Sequence, residues 1–441
     1  MNYRSHLKPN FLLAYPIMLS MLGQVMTGVA DSVMIGWTGV TPLAASSFAN
    51  IFFSIPLFFG IGVSYAITPL VAQAEGAYDD SSVISTLKNG ALINVATGFI
   101  LVALIFSIMP FMHSMGQPDE AVTLALPYLS IIAVSIIPTM IFQTYRQFAE
   151  GLQRTRVAMI IVVGSNLLNI ALNYVLIFGK YGFPELGLNG AGWATLIARI
   201  VMAASMMLYI YYGRKFQAYK SGFSFGNYSR TLISKMLHIG LPAGLQFIFE
   251  VGAFGFSAIM MGWLGTTALA AHQIAINLAT ISYMTTSGLG AAATIRVGNF
   301  LGQKDRANMR ASAFTMIGMA AFLMAAWALL FIFGRYFLPS LYIEDMSVIN
   351  LTASLLIMAA FFQLSDGIQV VTAGALRGLQ DVKIPSVLIF ISYWIIALPL
   401  GYWLAFPLQL GAKGIWIGLS IGLALTATAM ILRFNRLSNK R

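Results

Sequence analysis

Three carboxylates stand in stretches of sequence that carry no other charge: Asp31 in GVADSVMIG, Glu250 in QFIFEVGAF and Asp366 in QLSDGIQ. An acid among apolar residues is costly unless it is paired or wetted, so each is a candidate for binding and releasing a proton or a cation. Asp31 has suitable company. Asn169 and Asn173 are four residues apart and share one helical face, and Thr195 adds a hydroxyl. A carboxylate, two amide carbonyls and a hydroxyl form an all-oxygen set suited to a hard monovalent cation such as sodium, or to a proton on the acid. The same residues also serve where polar side chains only hold helices together. Gln246 lies one turn before Glu250, and Gln363 and Gln369 flank Asp366 at helical spacing. Those two acids read either as a second titratable site or as a carboxyl pair sharing a proton. Arg199 is the one basic residue deep in an apolar stretch; it either neutralises an acid, or snorkels or binds carbonyls. Glu75, Asp79, Asp80, Glu150 and Asp381 fall at the ends of apolar runs, where solvated or capping roles are expected.

Other chemistry has little to work with. Cysteine is absent, which removes disulfides and thiol catalysis. His6, His113, His238 and His272 are scattered without an HExxH pair, so no zinc site is expected. No nucleophile–base pair falls within the apolar runs, so an integral membrane enzyme is a remote alternative. No cofactor is expected.

The elements that position these residues must live in lipid. Of 441 residues, 59% are hydrophobic and 9% charged, against roughly a quarter charged in an average soluble protein. About twenty apolar residues cross a bilayer as a helix. Spans are expected at 11–35, 46–73, 89–113, 125–149, 157–179, 189–212, 239–263, 268–294, 312–334, 349–375, 385–406 and 412–433. That is an all-α polytopic membrane protein of twelve transmembrane helices with no room for a soluble domain. The polar start MNYRSHLKPN is unlike a cleaved signal, so the first apolar run is expected to remain as a span. With both termini in the cytoplasm, the basic residues fall on cytoplasmic loops, including the tail with Lys440 and Arg441. The exceptions are Lys180, Arg335 and Lys413 outside and Arg199 within a span. The net charge of +11 is therefore an orientation signal and not a nucleic-acid footprint.

The chain also repeats itself. Pro16–Ala45 matches Pro242–Ala271 at 226 positions' distance, with Pro16/Pro242, Gly36/Gly262, Trp37/Trp263, Gly39/Gly265, Leu43/Leu269 and Ala44/Ala270 coinciding. Gly151-Leu152-Gln153 recurs as Gly378-Leu379-Gln380, and LGLNG at 186–190 as LGAKG at 410–414. Duplication gives two pseudo-symmetric six-helix bundles, residues 1–220 and 221–441, joined by the polar stretch 213–236. With an even number of spans per half, the symmetry axis runs along the membrane normal, as in transporters that rock two bundles about a central site. The matched prolines are expected to bend the first and seventh helices.

The whole chain resembles the multidrug and toxic compound extrusion (MATE) family, in particular its bacterial NorM-type branch. The resemblance is carried by GVADSVMIG, by Glu250 and Asp366 in their settings, and by AEGLQRTR at 149–156. It implies a V-shaped pair of lobes around a central cavity. It also implies a secondary active exporter in the inner (plasma) membrane, antiporting organic cations or amphipathic drugs against sodium or protons by alternating access. By resemblance, Asp31, Asn169, Asn173 and Thr195 match the N-lobe cation cluster and Glu250 and Asp366 the C-lobe carboxylates. Gln273 and Tyr283 then fall where family members line the substrate path. Phe362 stands where some relatives have a tyrosine ligand, and Asn173 where another branch has an aspartate. The partners expected are small cationic or amphipathic molecules and the bilayer, with the protein a monomer. The alternative within transport is a lipid-linked oligosaccharide flippase of the same superfamily.

Overall fold

The computed structural model describes residues 3–224 and 226–439; Lys440 and Arg441 of the expected basic tail lie outside them. Its regular structure is helical throughout, with no strand among the described residues. Lipid offers backbone groups no partner, so each apolar run closes its hydrogen bonds internally. The long helices in chain order are α1 (Arg4–Gly36), α2 (Val40–Gly76), α3 (Asp80–Met115), α4 (Asp119–Gly151), α5 (Thr155–Phe178) and α6 (Gly187–Tyr212). They continue as α7 (Arg230–Trp263), α8 (Thr266–Gly302), α9 (Arg306–Phe333), α10 (Met346–Gly378), α11 (Lys383–Ala405) and α12 (Ala412–Asn439). Among the described residues, 11 helices are long and apolar enough to cross a membrane. The exception is α8. It has 37 residues, but His272, Gln273, Asn277 and the run Ser282–Ser287 dilute its apolar character.

The repeat reappears in the backbone. Gly39 and Gly265, at matched positions, precede α2 and α8 with φ of 130° and 110°, a region in which a side chain is strained. Tyr78 and Lys304 are also 226 positions apart, share no side-chain chemistry, and are both left-handed at φ 56° and 59°. Asp79 and Asp305 follow them and accept the backbone N–H of Ser82 and Asn308, capping α3 and α9. The hydroxyls of Ser81 and Ser82 beside Asp79 hold its carboxyl down at about 2.

Residues 19–244 pack as one compact unit, and residues 1–18 with 245–441 as another. These cuts differ from the expected division at 220/221. They fall inside α1 and α7, each two residues after a matched proline, so the first turns of each helix pack in one unit and the remainder in the other. The fourth span of each half is central to its unit. α4 packs on α2, α3 and α6, while α10 packs on α8, α9 and α12. Lipid removes most of the hydrophobic drive between helices, so close approach of small residues matters more. At the α8–α10 crossing a Cβ on Gly374 would overlap the carbonyl of Gly290, and Thr294 Oγ1 donates to the Gly374 carbonyl at 2.8 Å. Phe99, Ile100, Phe322 and Phe333 stay exposed, as lipid-facing side chains do.

Two expectations need correction. The stretch 213–236 is not simply a polar connection. Arg214–Phe223 forms a 3₁₀ helix that buries Phe216, Tyr219 and Gly222 at the three-residue period of that helix, and α7 begins at Arg230. Glu150 is not solvated: it is buried with Arg146, Nε to Oε1 at 2.7 Å. The apolar run simply extends further than hydropathy suggested, because the two charges cancel locally.

Candidate functional site

In the 19–244 unit, α1, α5 and α6 bring the predicted N-lobe residues together. Asn173 Nδ2 donates to Asp31 Oδ1 at 2.5 Å and approaches Asn169 Oδ1 at 3.4 Å. Asn169 Nδ2 in turn reaches Thr195 Oγ1 at 3.4 Å. Four residues from three helices thus form one polar chain. The amide orientation of Asn173 follows from chemistry, since an oxygen placed against the carboxylate would be repelled. The consequence is that Asn173 Oδ1 is buried with no hydrogen-bond partner among the described residues. A buried acceptor without a donor is costly.

Arg199 extends this neighbourhood. It lies one turn after Thr195 on α6, in the electrostatic surroundings of Asp31 and the neutral Tyr128 phenol. It makes no ion pair within 4.0 Å among the described residues. Its Nη1 donates to Ser135 Oγ at 2.7 Å, and the guanidinium stands 4.9 Å from the Phe53 ring centre.

In the other unit, Glu250 on α7 and Asp366 on α10 are both buried and within each other's electrostatic reach. Gln369 Nε2 donates to Glu250 Oε1 at 3.0 Å, and Gln246, also buried, lies one turn before Glu250 on α7. Gln363, one turn before Asp366, donates to Ser282 Oγ and leaves its Oε1 buried without a partner among the described residues. Phe362 packs against Phe254 and Trp416, so it contributes an apolar wall. Tyr283 is half-buried and lies in the electrostatic surroundings of Tyr393. Gln273 stands apart: it is exposed and donates to Asn277 at 3.2 Å.

Sequence reasoning missed Tyr393 and Trp394. Both sit in a π-helical segment, Ile391–Ala397, inside α11, whereas α5, the matching fifth span, is regular. A π turn inserts an extra residue and re-aims side chains, and such turns gather at functional sites. Here Tyr393 Oη donates to Gln369 Oε1 at 3.4 Å, and Trp394 Nε1 donates to the Phe249 carbonyl at 3.0 Å. Both steady the surroundings of Glu250. The apolar-plus-aromatic run ISYWIIA gave no periodic signal for this.

A lipid-embedded bundle that gathers acids and amides across helices, in each of two repeated units, belongs to the class of polytopic membrane transporters. The MatE family model matches residues 16–175 and again 242–403, so the duplication read from the sequence is a duplication of the family's own unit. The chain belongs to the MatE family, and it is a transporter and not an enzyme. A probable multidrug resistance protein NorM of Agrobacterium fabrum is 33% identical over 435 residues, 98% of this chain and 94% of that one. The multidrug resistance protein NorM of Photobacterium profundum is 31% identical over 438 residues, 98% and 96% of the two chains. The fold matches the crystal structure of the eukaryotic MATE transporter AtDTX14 with a TM-score of 0.88 at 18% identity, covering 99% of each chain. It also matches a multidrug resistance MATE transporter in an outward-facing conformation, with a TM-score of 0.88 at 20% identity over 97% and 94% of the chains.

Proposed function

We propose that this protein is a secondary active multidrug exporter of the bacterial plasma membrane, antiporting organic cations or amphipathic drugs against sodium or protons by alternating access. The observation that carries the reading is the Thr195–Asn169–Asn173–Asp31 chain with its unpartnered Asn173 Oδ1. Asp31 would supply the charge; Asn173, Asn169 and Thr195 would supply neutral oxygens to a cation, or hold the acid when it carries a proton. Hard monovalent ions favour such oxygen sets. Glu250 and Asp366 would serve the second lobe, attracting cationic substrates or adding a second titratable site, with Tyr283 and Gln273 along the substrate path. The names of the NorM relatives agree with drug export. On this reading the protein works as a monomer with both termini in the cytoplasm.

The test is efflux of a fluorescent organic cation such as ethidium from proteoliposomes, under imposed sodium or proton gradients, separately and together. Export driven by one gradient and lost on its collapse is expected. Gradient-independent movement of the dye at the protein-free rate would overturn the reading.

A further inference from the structure

Arg199 is a half-buried cation that the cation-site reading does not use. Its side chain leaves α6 on the face of Thr195, four residues earlier, the hydroxyl that ends the Asp31 chain. A guanidinium in a lipid-clad bundle ordinarily finds an acid or a set of carbonyls. This one is held by a neutral hydroxyl and an aromatic ring, Ser135 and Phe53. The hydroxyl is itself special: Ser135 sits at the break between the two helical stretches of α4, Asp119–Val134 and Ile136–Gly151. Its position is fixed by backbone irregularity and by its bond to the Ile132 carbonyl. Arg199 is therefore tethered on the Thr195 face of α6, within the electrostatic surroundings of Asp31 but without an ion pair to it among the described residues.

We infer that Arg199 is a fixed counter-charge that sets how tightly the Asp31 cluster holds its cation. The inference rests on the reading of that cluster as the coupling-cation site. A positive charge beside the cluster repels a bound cation and eases the charge on Asp31 once the cation has left. Both effects favour release, which an antiporter needs in every cycle. Two unit charges roughly 10 Å apart in an effective dielectric of about 20 shift a binding constant on the order of tenfold. The groups that face Arg199 are Asp31 on α1, Tyr128 on α4, Phe53 on α2 and Ser135 at the break; of these only Asp31 and Tyr128 titrate.

The experiment measures the half-saturating concentration of sodium, and separately of protons in sodium-free buffer, for ethidium efflux by the full chain in proteoliposomes. Arg199→Gln should lower that concentration about tenfold for the driving cation, and Arg199→Lys, which keeps the charge, should stay near wild type. Ser135→Ala frees the guanidinium to close on Asp31 and should raise it. An Arg199→Gln protein that half-saturates at or above the wild-type concentration, with only its maximal rate or thermal stability reduced, overturns the inference. If Arg199→Gln does not fold, an unshifted Ser135→Ala does the same. Asp31→Asn is measured alongside. When it abolishes the saturable cation dependence and Arg199→Gln does not shift it, this inference alone fails. When the dependence survives Asp31→Asn, the cation-site reading fails and this inference with it.

Discussion

Asn173 on α5 and Asp31 on α1, 142 residues apart in the chain, share a hydrogen bond in which the amide donates and the carboxylate accepts. Because both contacts of the Asn173 amide use its nitrogen, its buried oxygen has no hydrogen-bond partner among the described residues. The first prediction follows directly. Asp31→Asn should abolish coupled efflux while leaving the protein folded, and Asn173→Ala should raise the half-saturating cation concentration about tenfold, the effect of one lost charge-assisted contact of roughly 1.5 kcal/mol. Transport assays in proteoliposomes, with thermal unfolding as the control, check both. Wild-type efflux by a well-folded Asp31→Asn protein would remove the site.

Glu250 and Asp366 have no acidic counterparts in the first half. Glu250 matches Gln24, which is exposed, and Asp31 matches Ser257, whose hydroxyl bonds its own helix at the Phe254 carbonyl. Acids required only by the common scaffold would recur. Glu250→Gln and Asp366→Asn are therefore expected to impair export of cationic drugs more than of neutral ones. Equal loss for both, together with a lower unfolding temperature, would point to a structural pair instead.

The Arg146–Glu150 pair is buried on both sides. Removing one partner leaves a bare charge inside the unit, so Arg146→Met or Glu150→Leu alone should cost about 3–5 kcal/mol. The double substitution should recover much of that. Unfolding of the purified proteins in detergent gives the comparison, and additive losses would refute it.

Gly39 and Gly265 hold a backbone conformation essentially reserved for glycine. Gly39→Ala and Gly265→Ala should each destabilise by roughly 1–3 kcal/mol, although a Cβ at Gly265 meets no neighbour. A neutral Gly265→Ala would show that the backbone relaxes.

Orientation has its own check, made simple by the absence of native cysteine. Gln217→Cys and Asn439→Cys, both at exposed positions, should react with impermeant thiol reagents only after the membrane is opened, because basic loops stay in the cytoplasm. Labelling in sealed right-side-out cells would reverse the topology.

The amino-acid sequence by itself determined a good deal. Apolar run length settled the helices, since lipid leaves a backbone no other way to satisfy itself. The recurrence of Gly39 as Gly265 and of Gln153 as Gln380 revealed the duplication, because a glycine-only turn or a left-handed helix end constrains residue type locally. Asp31, Glu250 and Asp366 stood out because an acid in a span is conspicuous at any position.

Tertiary structure alone decided what those acids touch. That Asn173 donates to Asp31 and loses a partner for its own oxygen depends on how α5 meets α1, a long-range packing result with no local signature. Tyr393 came to Gln369 through a π turn that a run of bulky residues does not announce. Arg199 settled on Ser135 and Phe53 and not on an acid because the break in α4 put a hydroxyl within its reach. Periodicity reports which face of a helix is apolar; which polar atoms meet across helices is fixed only when the helices have packed, and a change of one turn would replace every partner.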